Sequence, residues 1–189
     1  MHWNSRTRLT LSMGGVIIAI AALIAYGELA PPAPDDVATE QLGGLAIDVL
    51  AHPTRVEAFR FCEQQGGCSG AVALYNSSLA TPYPNAPLMA YKSSVPIRSL
   101  TPLYGELYSG ANYQASGTLW FHPEVAYRFF GRNGEYADVA ICLASRVVRI
   151  DAYSSPGARP IDNWIARDLN PQALRSVAHT TFPTLQIML

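Results

Sequence analysis

The side chains most able to do chemistry are the three cysteines, Cys62, Cys68 and Cys142. Cys62 and Cys68 bracket a turn, Glu63-Gln64-Gln65-Gly66-Gly67, that folds back readily enough to bring two Cα atoms within reach of a bridge. A Cys62–Cys68 disulfide is therefore the expected covalent feature, provided the domain meets an oxidising compartment. Its loop is short, so its stabilisation belongs at the low end of the usual range. Cys142 is left over in the apolar run Ala140-Ile141-Cys142-Leu143 and reads as a small buried hydrophobe. Ser69 stands in Gly67-Cys68-Ser69-Gly70-Ala71, a partial echo of a serine nucleophile elbow. That motif needs glycine where Ala71 stands. His122, beside Pro123 and Glu124 in an expected strand, is the other weak site candidate. The histidines, His2, His52, His122 and His179, are too far apart to pair at a metal-ligand spacing. No metal or other cofactor is expected, and no catalytic residue is assigned. Asn76-Ser77-Ser78 fits a glycosylation sequon, a pattern too common to weigh.

Location sets the redox state of those thiols. Leu9–Gly27 (LTLSMGGVIIAIAALIAYG) carries no charge between Arg8 and Glu28. As a helix it would span about 28 Å, close to the hydrocarbon thickness of a bilayer. Arg6 and Arg8 precede it, and Glu28, Asp35 and Asp36 follow. The positive-inside rule then keeps residues 1–8 in the cytoplasm and sends the rest across. A cleavable signal peptide with a small-x-small site at Ala25-Tyr26-Gly27 is the competing reading, but the apolar run is longer than a usual signal core. Either way the C-terminal domain works outside the cytoplasm, in a periplasm or at a cell surface. Residues 28–36 form a stiff spacer, because Pro31, Pro32 and Pro34 favour an extended chain. The 189 residues thus hold an N-terminus (1–8), a single-pass transmembrane helix (9–27), a Pro-rich spacer (28–36) and an exported domain (37–189). The net charge of -1, with the basic residues scattered, argues against nucleic acid as a partner.

Within the domain, Ala38, Leu42, Leu45, Ala46 and Val49 mark a helical face over 37–50, interrupted by Gly43-Gly44. Arg55–Phe61 alternates as a strand does, with a helix begun by Pro53 as its rival. A turn at 64–70, a short element at 71–79 and a Pro-rich loop at 81–87 follow, then a strand over Leu88–Ile97 with Pro96 at an edge. Thr101-Pro102 predicts a helix start with Thr101 as its N-cap, and Gly110 closes that helix. Thr118–Phe130 and Tyr136–Tyr153 read as two long strands joined through Gly131-Arg132-Asn133-Gly134 into an antiparallel hairpin. Asn170-Pro171 opens a last helix that ends before Pro183 and turns Leu174, Val177 and Ala178 inward. The fold class is therefore α+β: an antiparallel sheet with two or three helices behind the anchor.

Ten tyrosines are many for this length. Tyr83, Tyr91, Tyr104, Tyr108, Tyr113, Trp120 and Phe121 fall in one stretch. They either fill helix–sheet packing, which is favoured, or form an aromatic platform for sugar or protein.

The chain also resembles a family of uncharacterised bacterial envelope proteins and lipoproteins. The residues that carry the resemblance are Arg55-Val56-Glu57-Ala58-Phe59-Arg60, His122-Pro123-Glu124-Val125-Ala126-Tyr127-Arg128-Phe129, Asp138-Val139-Ala140-Ile141-Cys142 and Phe182-Pro183. The resemblance implies this architecture and export, and no activity. Family members often carry Cys-x-x-Cys in the second strand of the hairpin and a cysteine before the first. Here those stretches read Cys142-Leu143-Ala144-Ser145 and Gly117-Thr118-Leu119-Trp120, so no redox or metal role transfers. The expected function is that of a membrane-anchored, non-enzymatic interaction domain with envelope proteins as partners. An envelope hydrolase using Ser69 or His122, and a glycan or peptidoglycan binder, are the alternatives.

Overall fold

A computed structural model describes residues 32–62, 81–82, 88–113 and 121–183. The expected transmembrane segment 9–27, Cys68, Ser69, the sequon, Tyr83 and Trp120 lie outside these residues. Among the described residues no helix is long and apolar enough to cross a membrane.

The described residues form one antiparallel sheet of six strands: β1 (Arg55–Phe61), β2 (Leu88–Lys92), β3 (Val125–Phe130), β4 (Tyr136–Cys142), β5 (Val147–Tyr153) and β6 (Asp162–Ala166). Their spatial order is β2-β1-β3-β4-β5-β6, so β3 to β6 are a meander and β1 joins it from far upstream. Accompanying them are the α-helices α1 (Asp36–Ala51), α2 (Thr101–Leu107) and α3 (Pro171–Thr181). The domain is α+β with an antiparallel sheet, as its alternating and helical periodicities predict.

Local chemistry explains most of the boundaries. Asp35 caps α1 by accepting from the Ala38 N–H at 2.6 Å, and its second oxygen accepts from the Gly110 N–H at 2.8 Å. Those backbone hydrogen bonds hold the Asp35 carboxyl below the usual carboxylate range. Inside α1 the Gly-Gly step breaks the helix: Gly43 has φ 70 and ψ 163 degrees. An L side chain rarely adopts that conformation. Asn170 caps α3 by accepting from the Gln172 N–H at 2.9 Å. Pro171 follows it where no helical N–H is needed. Alternation along β3 to β5 sends Val125, Tyr127, Phe129, Val139, Ile141, Val148 and Ile150 to one face. There they meet Leu42, Ala46, Val49 and Leu50 of α1 and Leu103 and Tyr104 of α2. Tyr104 packs edge-on to Phe129 at 6.0 Å, and the Tyr127 hydroxyl reaches Thr181 Oγ1 at 2.9 Å.

Four expectations are corrected. The stretch Tyr136–Tyr153 is two strands, because residues 143–146 turn back with Arg146 in the left-handed region at φ 56 degrees. The Glu124 carboxylate clamps that turn by accepting from the Leu143 N–H at 2.7 Å. The β3 strand begins at Val125, which leaves exposed His122 in the segment ahead of it. The β2 strand ends at Lys92, and the chain then forms a 3₁₀ turn, Ile97–Leu100, that runs directly into α2. This makes Leu100 the N-cap, and the Thr101 hydroxyl turns back to donate to the Arg98 carbonyl at 2.9 Å.

Candidate functional site

The sheet face opposite α1 carries a polar row that the strand register builds one residue per strand. Glu57 of β1 stands beside Arg128 of β3, Arg128 beside Asp138 of β4, Asp138 beside Asp151 of β5, and Asp151 beside Asn163 of β6. Two residues along, Arg55, Phe130, Tyr136 and Tyr153 form a parallel, aromatic row. Two residues the other way, Phe59, Ala126 and Ala140 belong to a small apolar cluster with Phe61 and Leu88. Period-two alternation alone places all three rows on one face.

Within the polar row the charges are paired. Arg128 donates to both Asp138 oxygens, Nε at 2.7 Å and a terminal nitrogen at 2.8 Å. This is the bidentate form that suits a guanidinium. Its planar group lies 4.7 Å from the Tyr136 ring centroid and 5.6 Å from that of Phe59. Both rings thus offer the cation a π face. Asp151 takes Arg149 Nε at 2.9 Å and the Asn163 amide at 2.6 Å. Arg55 reaches Glu57 at 3.2 Å and stacks on Phe130 at 4.1 Å. Burial pushes the Asp138 carboxyl up despite Arg128, with Asp151 and Glu57 adding to the shift. Burial likewise raises Asp151 against the pull of Arg149. On Arg128 burial opposes the charge, but the Asp138 carboxylate and its other partners outweigh it and the guanidinium is raised.

The exposed part of this face is aromatic and cationic. Arg55 is 52% exposed while its partner Glu57 is 10% exposed, and Arg149 likewise stands out further than Asp151. Tyr136 and Tyr153 stack at 4.5 Å with planes 12° apart. Beyond them Ile161 is 60% exposed, immediately before β6, and Ile165 is 36% exposed on β6 itself. Locked rings, aliphatic tips and guanidinia with hidden counter-charges are the composition of a contact surface.

A second concave feature lies at the end of α1. A cleft of about 330 Å³ is lined by Asp48, His52, Gly131, Arg132, Asn133 and Glu135. His52 Nδ1 sits 3.6 Å from Asp48 one helical turn back. Glu135 is committed to the turn: its oxygens accept from the Arg132 N–H at 3.1 Å and the Asn133 N–H at 2.8 Å. Gly131 allows this, because a Cβ there would collide with the Glu135 carboxylate. Backbone hydrogen bonds in the turn hold Glu135 below the usual carboxylate range. The cleft offers one imidazole for proton transfer, and none of its lining residues is a serine, threonine or cysteine nucleophile.

Among the described residues, those singled out by type stand apart from one another. His122 is exposed ahead of β3, Cys62 lies at the end of β1, and Cys142 is buried and free at the end of β4. Cys68 and Ser69 are outside the described residues. Of the tyrosine-rich stretch, Tyr104 and Tyr108 are buried in the helix–sheet core, and Tyr113 donates to the Leu107 carbonyl at 2.7 Å. These rings serve packing. Sequence reasoning missed the polar row, whose signal was alternation plus strand pairing. It also missed the Asp48–His52 pair, which is spaced by one helical turn across the end of the expected helix. Among the described residues no three ligating side chains are placed to hold a metal ion. Comparison with protein-family models, with curated proteins and with solved structures gives no match.

Proposed function

We propose that the chain is a membrane-anchored envelope protein whose α+β domain acts by binding other proteins through the sheet face opposite α1. The observation that carries this reading is the pairing of outward guanidinia with inward carboxylates beside stacked tyrosines and exposed isoleucines. Such a surface is rigid before contact, so little side-chain entropy is lost on binding. Export and anchorage rest on the apolar stretch 9–27 and on the flanking charges.

The test is copurification of the intact chain from membranes in mild detergent, compared with an Arg55→Glu/Tyr153→Ala/Ile161→Asp variant. The reading expects a constant set of envelope proteins with the natural chain and its loss with the variant. An unchanged set, with both proteins equally folded, refutes the use of this face. Recovery of the natural chain in the soluble fraction, lacking Met1, refutes the anchor.

A further inference from the structure

The chain between the apolar stretch 9–27 and the domain is short, and its far end is held. Residues 28–34 number seven and reach at most about 25 Å in any conformation. Asp35, the next residue, is fixed from several directions. Its N–H donates to the Tyr108 carbonyl at 3.1 Å. Its carboxylate accepts from the Ala38 N–H at 2.6 Å and from the Gly110 N–H at 2.8 Å. Its carbonyl accepts from the N–H and the hydroxyl of Thr39, each at 2.9 Å. Val37 then lies so close to Gly110 that a Cβ on that glycine would collide with it. The link can therefore gain length only by giving up the α1 cap and the contact with residues 108–110 together.

The held end is tied onward to the contact face. The Tyr113 hydroxyl donates to the Leu107 carbonyl at 2.7 Å and the Asn112 amide to the Glu106 carbonyl at 2.8 Å, so residues 108–113 are folded back on α2. The Arg167 N–H, immediately after β6, donates to the Asn112 carbonyl at 2.9 Å. Ile165 of β6 and Ile161 ahead of it are the exposed aliphatic side chains of that face. A domain of this size is about 40 Å across, so behind such a link its contact face stays within about 65 Å of the bilayer. A short link with a held end confines the height and tilt of the face. That confinement raises the effective concentration of a partner only when the partner is confined to the same layer. We infer that the surface meeting Tyr153, Ile161 and Ile165 is the extramembrane part of a protein embedded in the same bilayer. This rests on the anchor and interaction readings and specifies the kind of partner they imply.

The experiment uses the full chain in its own membrane, with Ile161→p-benzoylphenylalanine as the photocrosslinking probe. Flexible Gly-Ser inserts of about 10, 20 and 40 residues are placed between Leu29 and Ala30, outside the folded domain. Expected is a protein adduct whose yield falls by about threefold or more across the series, because effective concentration drops as a linker lengthens. Asp35→Ala, which frees the end of the link, should lower the yield of the uninserted chain by about twofold or more. Amide exchange in β3 and β4, unchanged from the natural chain, checks that the variant is folded. A yield indifferent to insert length overturns the inference in favour of a freely diffusing partner. A yield that rises with length overturns it in favour of a partner held farther from the bilayer, and a lipid adduct in favour of the bilayer surface itself. An Asp35→Ala yield equal to that of the natural chain overturns it as well. No adduct at any length sinks the interaction reading, whereas recovery of the chain in the soluble fraction without Met1 sinks the anchor.

Discussion

Arg128→Met deletes the guanidinium that Asp138 holds with both oxygens at 2.7 and 2.8 Å. Methionine keeps much of the stem volume between Phe59 and Tyr136, so the loss is mainly one of charge. What remains is a buried Asp138 with Asp151 and Glu57 close by in the same row. Removing one member of a buried pair costs about 3–5 kcal/mol, and two further carboxylates push this case to the upper part of that range. Asp138→Ala belongs at the lower part, because Arg128 keeps Glu57 as a counter-charge and two ring faces, and the repulsion between Asp138 and Asp151 is gone. Arg128→Met/Asp138→Leu removes both desolvated charges and should lie within about 1–2 kcal/mol of the natural chain. The orphaned Asp138 can also be neutralised by a proton. The deficit of Arg128→Met should therefore shrink between about pH 7 and about pH 5, while that of Asp138→Ala should not. Urea midpoints for the four proteins at both pH values, with unchanged m, provide the measurement. Single-variant costs below about 1 kcal/mol, the level of an exposed pair, would refute the reasoning, as would a pH-independent Arg128→Met.

Three further outcomes are expected. Asp138 and Asp151 have raised carboxyls, so their burden on the fold is present above their folded pKa and is relieved as pH falls through it toward the unfolded value. Asp35 and Glu135 have lowered carboxyls, whose stabilisation is present above the unfolded value and lost as pH falls through the folded one. Thermal unfolding against pH should thus show a gain in stability as pH falls through the raised carboxyls toward the ordinary carboxylate range and a loss below it, whereas a loss at every step of acidification contradicts these environments. Gly43→Ala forces a side chain into a backbone region reserved for glycine and should cost about 1–3 kcal/mol by denaturant titration. Gly44→Ala, with open space around its Cβ, should cost far less. Alkylation of the exported chain, denatured without reductant, should label Cys142 alone, and three labelled thiols would rule out the Cys62–Cys68 bridge.

The elements that could be read from sequence are those whose local chemistry is self-sufficient. Asn170-Pro171 announces α3, Asn133-Gly134 announces the β3–β4 turn, and Arg55–Phe61 carries the Val and two Phe of a strand that is buried on both faces. The β4–β5 turn was illegible because Leu143-Ala144-Ser145-Arg146 has neither glycine, proline nor an Asn or Asp to announce it. It is held instead by Glu124 from the segment ahead of β3 and by Arg146 in a left-handed conformation. The β6 strand opens with Asp162-Asn163, both poor strand formers, and owes its form to pairing with β5. The polar row was hidden for a related reason. Glu57, Arg128, Asp138 and Asp151 are ordinary charges in four separate segments, and only the register makes them neighbours. Asp48 and His52 are one helical turn apart, but the helix expected over 37–50 stops short of His52, the residue that caps α1.

The strand order has a consequence for the order of synthesis. From β4 to β6 each strand pairs with the one made just before it, so this half can zip up hairpin by hairpin as it appears. α1 and β1 are made first, yet their partners Val139, Ile150 and Tyr127 arrive only with the later half of the chain. Until then Leu42, Val49 and Phe59 lack the strands that cover them, and the nascent N-terminal half must be shielded by something other than its own fold.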